Sequence, residues 1–78
     1  MALSSVTRQS LVKVIVEMAN TKARSIKSGQ TVEVVVPAAM IPARAHYGEL
    51  TGELETAAGA INLKAHIPTS WTFTFTKL

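Results

Sequence analysis

GELTGELETAAGAINLKAHIPTSWTFTFTKL, residues 48–78, alternates apolar and polar side chains, most regularly in its last eight residues, Trp71-Thr-Phe-Thr-Phe-Thr-Lys-Leu78. Alternation with a period of two marks a strand with one buried and one wet face. Trp71, Phe73 and Phe75 fall on one face, and Thr72, Thr74 and Thr76 on the other. The residues before them predict two more strands, 48–55 and 61–67. Leu50, Gly52 and Leu54 share a face in the first, and Ile61, Leu63, Ala65 and Ile67 in the second, with Gly59 in the connecting turn. The register that serves all of them sets Leu54 opposite Leu63, Gly52 opposite Ala65 and Leu50 opposite Ile67. It also sets Glu53 against Lys64, a cross-strand ion pair of roughly 0.2–1 kcal/mol that selects register more than it stabilises. Pro68-Thr69-Ser70 then turns the chain. The closing strand, 71–78, returns with Ala65 beside Phe73, Leu63 beside Phe75 and Ile67 beside Trp71, completing a three-stranded meander.

Working towards the N-terminus, Pro37–Ala45 holds two prolines and reads as a loop or a single helical turn begun by Pro37. Residues 31–36 alternate Val32, Val34 and Val36 with Thr31, Glu33 and Val35, and Pro37 stops that ladder or marks it as an edge. Ala19–Gln30 is small, polar and basic, with Gly29, and reads as a long exposed connection. Residues 11–18, LVKVIVEM, place Val12, Val14, Val16 and Met18 on one face of a strand, and their β-branching favours that reading. Segment 5–19 is alternatively a helix, because Leu11, Val14, Ile15 and Met18 also fit helical spacing behind a cap at Ser4, Ser5 or Thr7. The expected fold is therefore mainly β. It is a small antiparallel sheet or partly open barrel of about five strands (11–18, 31–36, 48–55, 61–67, 71–78) in a single domain, 1–78.

A chain of 78 residues buries only roughly 60–65% of its unfolded surface, so its core is thin. There is no cysteine to staple it and only four aromatics to fill it, although 47% of the residues are apolar. That surplus, and a sheet whose last strand offers an open edge, lead to a homo-oligomer with Trp71, Phe73, Phe75 and Leu78 at the subunit interface.

The charge is uneven. Residues 1–46 hold six cations and two glutamates, a net of +4, whereas 47–78 hold two lysines and three glutamates, a net of −1. Lys22, Arg24 and Lys27, with Arg44, are the candidate contacts to a nucleic-acid backbone, where cations displace condensed counterions. The same charges also suit a solvated loop or the acidic half of a neighbouring copy. The serines lack the frame of a nucleophile elbow, Gly48–Gly52 lacks the spacing and lysine of a phosphate loop, and Glu49, Glu53 and Glu55 read as a wet strand face. His46 and His66 have no metal-ligand spacing. No enzyme, cofactor or metal is expected. Nor is a membrane partner, since Val34–Ala43, the longest uncharged apolar run, is short and broken by prolines. The N-terminal charges interleave with apolar residues, unlike a signal peptide, so the expected location is cytoplasmic or in a virion. The leading expectation is a non-enzymatic, self-assembling structural subunit, such as a virion or shell component. The alternative is a small β-barrel that binds single-stranded nucleic acid or a duplex backbone through 19–30. A larger protein is a third kind of partner open to such a module.

Overall fold

The computed structural model describes residues 4–78, so the first three residues of the stretch read for a leader lie outside it. The chain is mixed α/β rather than mainly β. Helix α1 (Ser5–Ala23) is followed by β1 (Thr31–Val35), helix α2 (Thr51–Gly59), β2 (Leu63–Ala65) and β3 (Thr72–Lys77). Short 3-10 turns at Ala38–Met40 and Tyr47–Leu50 fill the β1–α2 connection. The three strands form one antiparallel sheet in the order β1–β3–β2, open at both edges, and no barrel closes.

The first departure from the sequence reading is 11–18, which is helical. Ser4 supplies the start: its Oγ accepts the Thr7 N–H at 3.2 Å, the kind of cap whose loss costs about 1 kcal/mol. Leu11, Ile15, Ala19 and Ala23 recur every fourth residue and are buried, together with Val12. Three valines and an isoleucine in a helix cost roughly 0.5 kcal/mol apiece relative to alanine. Burying Leu11, Val12 and Ile15 returns about 1.5–3 kcal/mol each, so packing overrides propensity. The helix also absorbs the first five residues of the segment expected as a connection from Ala19 onward.

The second departure is 48–55. Leu50, Leu54 and Ala58 are buried on one face of the turn-plus-helix from Tyr47 to Gly59, while Gly52 is exposed between them. His46 begins this element with a reciprocal cap. Its Nδ1 accepts the Gly48 N–H at 3.0 Å, and Glu49 Oε2 accepts the His46 N–H at 3.0 Å. A Cβ on Gly48 would stand 2.9 Å from that Nδ1, so the cap needs glycine there. With 48–55 helical, Glu53 cannot face Lys64; it pairs instead with Arg8 at 2.6 Å, tying α2 to α1. Asn62, at φ 60°, supplies the left-handed residue that leads from α2 into β2, the role expected of Gly59.

Strands β1 and β3 lie where the alternation put them. Val34 stands opposite Phe73 and Val32 opposite Phe75, on the face covered by α1 and α2. Strand β2 is shorter than expected, and its register against β3 is shifted by two residues, with Ala65 beside Phe75 and Leu63 beside Lys77. A shift of two keeps every side chain on its face. The closing strand has no open edge, because β1 and β2 flank it.

Candidate functional site

The sheet has one covered face and one bare face. The bare face is a grid set by the register. Thr31, Thr76 and Lys64 form one row; Glu33, Thr74 and His66 form the next; Val35 and Thr72 begin a third. His66 Nε2 contacts Thr76 Oγ1 diagonally across it.

At the Thr76 end of this grid the chain gathers its positive charge. The end of α1, the 24–30 connection, the start of β1, the start of β2 and the end of β3 all meet there. Gly29, at φ 89°, donates its N–H to Lys77 O at 2.6 Å, and Lys77 returns its own N–H to Gln30 O at 2.9 Å. Leu78 N–H reaches Asn62 O at 2.9 Å. Five of the eight cations therefore share one end of a molecule 38 Å long: Lys22, Arg24, Lys27, Lys64 and Lys77. The flanking glutamates are Glu17, just over a turn back on α1, and Glu33, in the next row of the grid.

These five do not act alike. Lys77 is half-buried, and its ammonium donates to the Ala23 and Ile26 carbonyls at 2.9 and 2.8 Å, closing the end of α1 where a cation suits the helix dipole. Lys22 donates to Glu33 O at 2.6 Å and so covers the outer edge of β1. Arg24, Lys27 and Lys64 are exposed and have no side-chain partner among the described residues. They lie on three sides of the same end. Lys64 is on the bare sheet face, Lys27 in the loop and Arg24 beside a recess of about 170 Å³ lined by Asn20, Asn62 and Lys77. Two larger hollows flank α1, one along Val14, Met18, Thr21 and Lys22 and one between α1 and α2 over Val12, Gly52 and Ala57; neither is lined by these three cations.

Compared with known proteins, the chain matches no family model, no curated protein and no solved structure.

The cluster brings together three of the four expected nucleic-acid contacts and leaves out the fourth. Arg44 sits at φ 64° in an exposed turn closed by Ala45 N–H to Pro42 O at 3.1 Å. That turn belongs to the connection leaving β1 at its Val35 end, the far end of the strand from Lys27. Lys64 and Lys77 join in its place, and sequence reasoning missed both because they belong to the acidic half of the chain.

The expected interface residues are placed very differently. Phe73 and Phe75 are 1% and 0% exposed and take their cover from the chain's own helices. Trp71 is half-buried, edge-on to Tyr47 and Phe73. Of the four, only Leu78 is largely exposed, at 63%. Among the described residues no group of three or more metal-ligating side chains gathers, and no helix is long and apolar enough to cross a membrane.

Proposed function

We propose that this chain is a non-enzymatic binding module for a phosphate-rich polyanion, gripped at its basic end by Arg24, Lys27 and Lys64. The observation that supports this most is the convergence of five cations from three separate stretches of chain on one end, three of them with free side chains. Lys22 and Lys77 add field there without offering free donors. The Arg24 recess has Asn20 and Asn62 in its lining beside the apolar Ala23, Ile61 and Leu63, so polar groups make up only part of its wall.

The test is binding of labelled mixed-sequence nucleic acid at low salt, followed by fluorescence anisotropy. Replacing Arg24, Lys27 and Lys64 together by alanine is expected to weaken binding at least about tenfold, because each lost contact removes a counterion-release term. The melting temperature should stay put. A wild-type protein that retains no polyanion at low salt, or a triple variant that binds as well as wild type, refutes the reading.

Self-association is a second reading, and one observation favours it. Val35 and Ile67 stand 61% and 81% exposed at the opposite end of the sheet, where neither helix covers them. Light-scattering mass at micromolar concentration decides this, and a monomer there removes it.

A further inference from the structure

The basic end says that a polyanion binds; the rest of the molecule narrows which one. Resting on the reading above, we infer that the ligand is a nucleic-acid duplex held by its backbone without regard to sequence, with the bare sheet face around Lys64 laid against it.

Single strands are held by bases stacking on exposed aromatic rings. Of the rings only His66 lies beside these cations, and with its Nε2 held against Thr76 Oγ1 it offers one small imidazole, not a row of stacking rings. Phe73 and Phe75 are sealed in the core, while Tyr47 and Trp71 pack against each other at the far end of the sheet. Reading bases in a duplex needs an element that enters a groove. The start of α2 is acidic, with Glu49, Glu53 and Glu55, and like charge keeps it away from phosphates. The flat sheet face that carries Lys64 projects no element into a groove, so its contact is with the backbone.

The neighbours of Lys64 suit that contact. Thr31 and Thr76 share its row and Thr74 and His66 form the next, a flat set of short hydroxyl groups and an imidazole. These are side chains that hydrogen-bond phosphate and sugar oxygens. Charge density gives the second argument. A duplex carries one negative charge per about 1.7 Å of axis, twice the density of one of its strands. The basic end is compact, since the molecule's two shorter dimensions are 21 and 19 Å. A duplex laid on the bare face meets Lys64 with phosphates at twice the density that one extended strand offers.

The experiment compares a duplex of about 20 base pairs with either of its strands and with a scrambled duplex. The duplex is expected to bind at least about tenfold more tightly than the strand, and scrambling should change affinity less than about twofold. With three phosphate contacts, affinity should fall roughly 40-fold between about 50 and 200 mM salt. Two substitutions on the bare face test its part. Thr31→Glu, which sets a carboxylate in the Lys64 row, should weaken duplex binding about tenfold. Glu33→Gln should strengthen it about two- to threefold. The opposite signs distinguish a binding effect from a folding one, and amide spectra of both variants check the fold. Equal or tighter binding of the single strand, a marked sequence preference, or no change in either variant overturns this inference while leaving the basic-end reading intact. Failure to bind any polyanion refutes the basic-end reading instead.

Discussion

Lys77 and Lys27 are fifty residues apart in the chain, lie at the same end of the molecule and carry the same charge, yet their surroundings differ. The Lys77 ammonium reaches the Ala23 carbonyl at the end of α1 and the Ile26 carbonyl beyond it, and the Lys27 ammonium has no partner among the described residues. A cation that ties the last carbonyl of a helix to one in the loop beyond it belongs to the fold, because removing it leaves part-buried acceptors short of a donor. A cation without a partner adds little to the fold and is free for a ligand. Position in a positive patch therefore does not separate structural from binding lysines; the acceptors around each ammonium do.

The most severe way to break the comparison is to remove the strand that brings the two lysines together. Phe75→Ala empties a fully buried site between β1 and β2 and should cost about 3–5 kcal/mol. That is most of the stability of a domain this size, so chemical denaturation should show a much lower midpoint or no folded baseline. A midpoint shifted by less than a third of the wild-type value would show that the core does not depend on this ring.

Lys77→Met keeps the stem and removes the charge. It leaves the Ile26 carbonyl without its lysine donor and the Ala23 carbonyl with only the Ile26 N–H at 3.3 Å, an expected loss of about 1–3 kcal/mol. In a domain this small each kilocalorie lowers the melting temperature by roughly 4–8 °C. Lys27→Ala, by contrast, should change stability by less than about 0.5 kcal/mol. Equal melting temperatures for the two variants would erase the distinction between them.

Lys22 stands between these cases, since its single bond to Glu33 O lies at an exposed edge. Lys22→Met should cost about 0.5–1 kcal/mol. It also unmasks the outer edge of β1, so dimer formation should rise with concentration in sedimentation runs if the lysine guards that edge. An unchanged monomer fraction would leave Lys22 with only its hydrogen bond.

Strands β1 and β3 were legible because Val32 and Val34, and Phe73 and Phe75, leave no other period that buries them all. Helix α2 was not, and the reason is arithmetic. Leu50 and Leu54 are four apart, a spacing that keeps two residues together in a strand and in a helix alike. The choice falls to Ala58 and to the cap at His46 and Glu49, a histidine version of a motif usually begun by serine or threonine. In α1 the β-branched run pointed one way and the stripe of Leu11, Ile15, Ala19 and Ala23 the other; the two alanines, small enough to pass for linker residues, completed the stripe. The basic end was half legible. Lys22, Arg24 and Lys27 stand close in sequence, but no window of sequence shows that residue 77 lies against residues 23 to 29.

Arg8 is a third kind of cation, satisfied by a carboxylate at the other end of α1. Its Nε lies 2.6 Å from Glu53 Oε1, with the two side chains 30% and 37% exposed. Solvent screens such a pair, and holding two long side chains still costs entropy, so the coupling should be only about 0.2–1 kcal/mol. A double-mutant cycle of Arg8→Ala and Glu53→Ala measures it, repeated at high salt, where the coupling should shrink. Neither substitution should alter polyanion binding, since the pair lies at the start of both helices and the free cations lie past their ends. A coupling above about 2 kcal/mol would mean that the pair, rather than the buried stripe, holds α2 against α1. Loss of binding in Arg8→Ala would mean that the positive field is not confined to one end, and the contrast between Lys77 and Lys27 would then no longer locate the site.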